Sequence, residues 1–127
     1  MPGRIQFRRL RLEPFELDWL IDTGSAISVV HSQQARLLGI DYARDSEGAR
    51  VEVNAGVGGV ARHHREMCWL EFAHDDGAIA RYTFPVRVAL PGDDDNPLPA
   101  ILGMDFISNF HLTVAKREDR LELDPSF

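Results

Sequence analysis

A strand that ends in an acid constrains this chain more than any other feature. Phe15, Leu17, Trp19 and Ile21 alternate with Glu16, Asp18 and Leu20, the period-2 pattern of a half-buried β-strand. The strand runs straight into Asp22-Thr23-Gly24-Ser25-Ala26. Carboxylates avoid the interior unless they are paired or hydrogen-bonded, so a strand that delivers one into a tight turn must supply partners nearby. Gly24 gives the turn backbone freedom, and Thr23 and Ser25 give it hydroxyls. An Asp-Thr-Gly tripeptide alone also suits an ordinary turn that the acid merely caps. Here apolar residues lead in, Ile27-Ser28-Val29-Val30 lead out, and a matching element lies far downstream.

The rest of the chain reads as short strands with few helices. Ile5 to Leu12 forms a first strand whose alternation breaks near Arg8-Arg9, and Glu13-Pro14 turns it into the second. Ile27 to Val30 reads as a strand, and Ser32 caps a helix through Leu38 that Gly39 terminates in the left-handed conformation. Val51 and Val53 lead into the glycine-rich run Asn54-Ala55-Gly56-Val57-Gly58-Gly59-Val60, and Met67 to Phe72 forms a return strand. Asp75-Asp76-Gly77 is a hairpin turn, followed by strict alternation of Tyr82, Phe84, Val86 and Val88 in a strand from Ile79 to Leu90. Pro91 to Pro99 is an acidic loop. Ala100-Ile101-Leu102 is an apolar strand, Gly103 breaks it, and Met104 to Phe110 reads as a short helix. His111 to Ala115 and Arg120 to Leu123 form a terminal hairpin. This pattern predicts one all-β, barrel-like domain spanning residues 1–127.

Taken together, the acid turn, the glycine-rich hairpin and the Ile101-Leu102-Gly103 strand resemble, in order, the retropepsin-like aspartic proteases, the single-lobe family that includes retroviral proteases. The resemblance covers nearly the whole chain. It implies an acid-protease barrel with one or two short helices, a glycine-rich flap hairpin and a C-terminal hairpin. It makes Asp22 the catalytic acid, with Thr23, Gly24 and Ser25 supporting its loop. Gly56, Val57, Gly58 and Gly59 become the flap that closes on substrate, and Ile101, Leu102 and Gly103 the structural strand beside the site. Two departures separate the chain from the retroviral pattern. Ala26-Ile27 replaces the acidic residues that follow the turn there, and Gly103 precedes Met104-Asp105 where the retroviral members have an arginine. Both point toward the cellular and bacterial members.

The chemistry of such a site explains its expected assembly. Hydrolysis without a metal or a covalent nucleophile needs one group to take a proton from water and another to hydrogen-bond the carbonyl oxygen. Two aspartates in contact do both, because like charges so close share one proton and titrate as a pair. The chain carries a single Asp-Thr-Gly. The expected partner acid is therefore Asp22 of a second copy across a two-fold axis, in a homodimer acting on an extended peptide or protein. By the family's pattern, Thr23 reaches across the axis, Ser25 helps to orient the carboxylate, and the Gly24 carbonyl meets the substrate backbone. Two other readings carry different consequences: a catalytically silent dimeric peptide-binding or regulatory module of the same fold, and a monomeric β-barrel interaction domain in which Asp22 is only a turn residue.

Composition narrows the remaining classes. A net charge of -6 with no basic block argues against nucleic acid and anionic membranes as partners. No apolar run approaches the roughly 20 residues of a membrane span, and the N-terminus lacks a signal core, so the expected compartment is the cytoplasm. The single Cys68 permits no internal disulfide and reads as a packing residue. His63 and His64 are adjacent in a strand and point to opposite faces, and Asp93-Asp94-Asp95 lacks the spacing of a calcium loop. No metal or other cofactor is expected. Trp19 and Trp69 read as core or interface residues.

Overall fold

Apolar alternation in six strands closes a barrel around one core. The structure, a computed structural model, describes residues 1–42, 51–56, 59–89 and 98–125. Its elements are β1 (Pro2–Phe7), β2 (Phe15–Ile21), β3 (Val29–Val30), α1 (Ser32–Leu38), β4 (Val51–Gly56), β5 (Gly59–Ala73), β6 (Ile79–Ala89), β7 (Ala100–Leu102), α2 (Met104–Ile107), β8 (Phe110–Ala115) and β9 (Arg120–Pro125). Neighbours in the barrel run β1-β2-β7-β3-β6-β5, and β5 pairs back onto β1 to close the ring. Closure removes the open edges that an isolated sheet exposes. β4 hangs on β5 outside the ring, and β8 with β9 forms a separate two-stranded sheet.

Every second residue of the main strands enters the core: Ile5 and Phe7 from β1, Leu17 and Trp19 from β2, Cys68 and Leu70 from β5, and Phe84, Val86 and Val88 from β6. Ala35 and Leu38 of α1 pack on them. The cap is His31, whose amide donates to Gln34 Oε1 at 3.0 Å, so Ser32 is the first helical residue instead of the cap. The helix stops at Gly39, whose φ of 83° is the left-handed conformation expected of its terminator. Phe106 of α2 joins the same core and meets the rings of Tyr82, Phe84, Phe72 and Phe110, with centroids 5.0–5.9 Å away.

The topology around the acid turn is specific. β2 and β3 flank the turn in sequence yet do not pair; β7 lies between them, parallel to β2 and antiparallel to β3. Ile101 is the shared rung, opposite both Leu20 and Val29. Residues 22–28 therefore cross over the end of β7, and Gly103 is the first residue to emerge beneath them.

Several boundaries differ from the sequence reading. β1 ends at Phe7, because the chain bends at Arg8 to Leu10 and turns Leu10 into the core. The return strand starts at Gly59, well before Met67, because β5 first pairs β4 and only then β6. The second helix stops at Ile107. Asn109 donates its side-chain amide to the Asp105 and Phe106 carbonyl oxygens at the helix end, and Phe110 already pairs with Pro125. β9 continues to Pro125. The acidic run Asp93-Asp94-Asp95 lies outside the described residues. Among the described residues, no helix is long and apolar enough to cross a membrane.

Candidate active site

β2 delivers Asp22 half-buried to the mouth of the turn, with Thr23 and Gly24 exposed just beyond it. The Asp22 amide donates to the Leu102 carbonyl oxygen at 3.0 Å, so the acid's own backbone is fixed to β7. Its carboxylate Oδ1 accepts the Gly24 amide at 2.9 Å, and Ser25 N–H returns to the Asp22 carbonyl at 3.2 Å. A bond from residue i+2 to an aspartate oxygen is what any Asx turn makes. The support beneath the turn goes further.

That support comes from Gly103 and α2. The Met104 amide donates to the Ser25 carbonyl oxygen at 2.7 Å, and the Asp105 amide to that of Ala26 at 3.2 Å. Gly103 has ordinary extended angles, φ -96° and ψ -171°, so conformational freedom is not why it is glycine. Close approach is: a β-carbon there would overlap the Ile27 carbonyl oxygen and stand 2.7 Å from that of Ser25. The sequence-identified Asp22, Thr23, Gly24, Ser25, Ile101, Leu102 and Gly103 are thus brought together. Ser25 turns its hydroxyl to the Ile27 carbonyl oxygen at 2.7 Å, so its link to the acid runs through the turn backbone.

The sequence reading missed three residues that complete the support. The buried Ser28 donates its hydroxyl to Asp105 Oδ1 at 2.7 Å and its amide to Oδ2 at 3.1 Å. The same hydroxyl accepts the Gly103 amide at 2.9 Å. Arg87 of β6 reaches Asp105 Oδ2 at 3.4 Å, and its amide donates to the Ser28 carbonyl at 3.0 Å. The only sequence signal was parity: Arg87 stands between inward Val86 and Val88, and so points outward toward β3 and α2.

The glycine-rich hairpin stands apart. Gly56 faces Gly59 in the last pair between β4 and β5; the tip residues Val57 and Gly58 lie outside the described residues. Gly59 to Arg62 pair with β4 alone, so this outer part projects beyond the barrel.

At the base of that hairpin lies a second buried polar group, also missed. Glu66 is 2% exposed and faces inward, in phase with Cys68 and Leu70. Arg9 grips it bidentately, Nε to Oε2 at 3.2 Å and Nη2 to Oε1, and the Tyr42 hydroxyl donates to Oε1 at 3.0 Å. The Tyr42 ring stacks on His64 with centroids 3.5 Å apart. Burial, reinforced by Glu66, pushes the Tyr42 hydroxyl far above its usual value, and burial chiefly lowers His64. Burial first, then Glu66, pushes the Cys68 thiol up to about 12, which makes it an inert packing residue. Both His63 and His64 are buried, and among the described residues no three His, Cys, Asp or Glu side chains gather as a metal site. Trp69 lies on the outer face between Arg8 and Arg81, whose guanidinium carbons stand 5.6 and 4.6 Å from its ring.

No protein-family model matches the sequence, and no curated protein matches it either.

Proposed function

We propose that this chain is a retropepsin-like aspartic endopeptidase that works as a homodimer, with one Asp22 from each copy forming the catalytic pair. The observation that carries this reading is the turn itself. A half-exposed carboxylate sits on a loop spanning β7, anchored at Leu102 and stitched to Gly103, Met104 and Asp105. An ordinary turn needs its Asx bond and no more. This one has backbone rigidity of the kind that holding a reacting group within a fraction of an ångström demands.

In the proposed reaction, one Asp22 carboxylate accepts a proton from water as the oxygen attacks the peptide carbonyl. The other, protonated, hydrogen-bonds the carbonyl oxygen. Proton transfer to the nitrogen then releases the amine as the carbon–nitrogen bond breaks. Thr23, exposed at the turn tip, is assigned the contact across the two-fold axis, and the β4–β5 hairpin with Gly56, Val57, Gly58 and Gly59 is assigned the flap role. The terminal hairpin supports the dimer. Cross-strand partners share a face, so Phe110, Leu112, Val114, Leu121, Leu123 and Pro125 line one side of β8 and β9; Phe110 at one end packs on Phe106 and Tyr82, while Val114 and Leu121 at the other are exposed. The exposed apolar end around Val114 and Leu121 favours a partner.

The test is cleavage of a peptide library from acidic to neutral pH by wild type and Asp22→Asn. Loss of hydrolysis with the dimer intact supports the reading, and full activity in the variant refutes it. Sharing of the site is tested by refolding wild-type and Asp22→Ala chains together. Activity should then fall as the square of the wild-type fraction; a linear fall after verified exchange of subunits excludes the shared pair. A dimer that binds peptides and cleaves none would make the chain a binding module, and a monomer an interaction domain.

A further inference from the structure

Asp105 is spent in a way that its place on a four-residue helix does not require. Both of its carboxylate oxygens turn back to Ser28, where the acid turn rejoins the barrel, one taking the hydroxyl and the other the amide. Its main-chain amide donates to the Ala26 carbonyl oxygen. One residue therefore holds the departing half of the turn at two points, while Leu102 holds the arriving half through the Asp22 amide.

Asp105 is itself well fixed. The next residue, Phe106, is buried and surrounded by four aromatic rings, so α2 cannot tilt without opening the core. Its charge is answered by Arg87, and Arg87 stands directly across from Arg65 of β5 in the sheet. Like charges directly opposite repel, so Asp105 also relieves that pair. Charge-assisted hydrogen bonds of this kind are stronger and more directional than neutral ones.

We infer that Asp105 is a positioning residue for Asp22, acting through Ser28 and the turn backbone, with Arg87 as its counter-charge. The inference rests on the peptidase reading and adds to it: the turn is set from below by an acid that is not one of the reacting pair. Asp105→Asn keeps the size and leaves one oxygen for the Ser28 amide, but its NH2 now faces the Ser28 hydroxyl, which must reverse from donor to acceptor while still accepting the Gly103 amide, and the charge that answers Arg87 is lost. The turn shifts by tenths of an ångström while the core stays closed. A displacement approaching 1 Å costs on the order of 100-fold in rate, so a drop in kcat of about 10- to 100-fold is expected, with KM nearly unchanged.

The experiment compares wild type, Asp105→Asn, Ser28→Ala and Asp22→Asn in three measurements on the folded dimer. These are the kcat and KM for one cleaved peptide, calorimetric affinity for a peptide with a secondary hydroxyl in place of the scissile amide, and melting temperature. The expected result is that Asp105→Asn and Ser28→Ala lose kcat and affinity for the hydroxyl peptide in parallel, while KM holds. Arg87→Lys keeps the charge and should recover most of the activity that Arg87→Met loses. A lowered melting temperature with kcat per folded dimer and hydroxyl-peptide affinity unchanged would reduce Asp105 to a structural residue and overturn the inference. That outcome leaves the peptidase reading standing if Asp22→Asn is dead. If wild type neither cleaves peptides nor binds the hydroxyl peptide, the peptidase reading fails and the positioning role falls with it.

Discussion

Gly103 lies directly beneath Ile27, with no space between the two backbones for a β-carbon. The relationship follows from topology. β7 occupies the slot between β2 and β3, so the chain leaving β7 must pass under the turn that joins those two strands. Gly103→Ala would force apart Ser25, Ile27 and α2, which are held by the Met104–Ser25 backbone bond and by the Ser25 hydroxyl on the Ile27 carbonyl oxygen. Overpacking against rigid neighbours costs about 1–3 kcal/mol. A lower urea midpoint with unchanged slope should record it, together with a larger fractional loss of peptidase activity than of stability. A fully stable, fully active Gly103→Ala would show that the turn yields easily.

The buried group at the hairpin base gives a second expectation. Removing Arg9 alone, as in Arg9→Met, leaves Glu66 buried without its counter-charge, and breaking a buried pair in this way costs about 3–5 kcal/mol. Replacing both, Arg9→Met with Glu66→Leu, removes the stranded charge and should recover most of that loss, less the bond that Tyr42 donates to Glu66. Denaturant unfolding of the two single variants and the double variant measures the coupling. Additive effects would mean that Arg9 and Glu66 act independently.

How much of this was legible beforehand differs by element. The β2 strand, the Ser32–Leu38 helix and the β6 alternation were readable because each has a clear pattern and a clear boundary, Asp22 after β2, Gly39 after the helix and the Gly77 turn before β6. Asp22 and Gly103 were legible as partners through their motifs. Ser28, Arg87 and Asp105 were not, since residues 77 positions apart in sequence meet only because β7 threads between β2 and β3. Glu66, and the buried setting of His64, escaped notice for a related reason. Their inward phase becomes visible once β5 is known to run from Gly59, and the break in alternation at Trp69 hid that continuity. The helix at Met104 read too long, because the Asn109 side chain that ends it is a tertiary detail of one turn.

His64 gives a pH dependence whose sign can be worked out. Burial lowers its affinity for a proton and Arg9 adds to this, while Glu66 opposes it; Tyr42 covers its ring face. The folded state therefore prefers neutral His64 more than the unfolded chain does. That contribution to stability is complete above the unfolded value of 6.5 and is lost as the pH falls below it. His64→Phe keeps a ring for the stack and cannot take up a proton. Its urea midpoint should drop less than that of wild type between about pH 7.5 and about pH 5, a range that spans the ordinary histidine pKa. Equal drops would place the acid sensitivity elsewhere.

The terminal hairpin provides the sharpest check on assembly. Val114 and Leu121 face each other across β8 and β9 and are 65% and 42% exposed, on the same side as Leu112 and Leu123. If this side meets a second copy, Val114→Asp with Leu121→Lys puts two charges into a surface that must lose water on association. Each would have to be desolvated without a matched partner from the other copy. Their own ion pair preserves the hairpin in the isolated chain, because directly opposed residues of unlike charge are favourable. The variant should therefore keep its melting profile at low concentration, shift from dimer to monomer in sedimentation, and lose peptide hydrolysis at concentrations where wild type is active. Raising the protein concentration should restore activity in proportion to the dimer re-formed. A variant that stays dimeric and active would remove the hairpin from the interface, leaving the exposed turn around Thr23 and other surfaces to join the two copies.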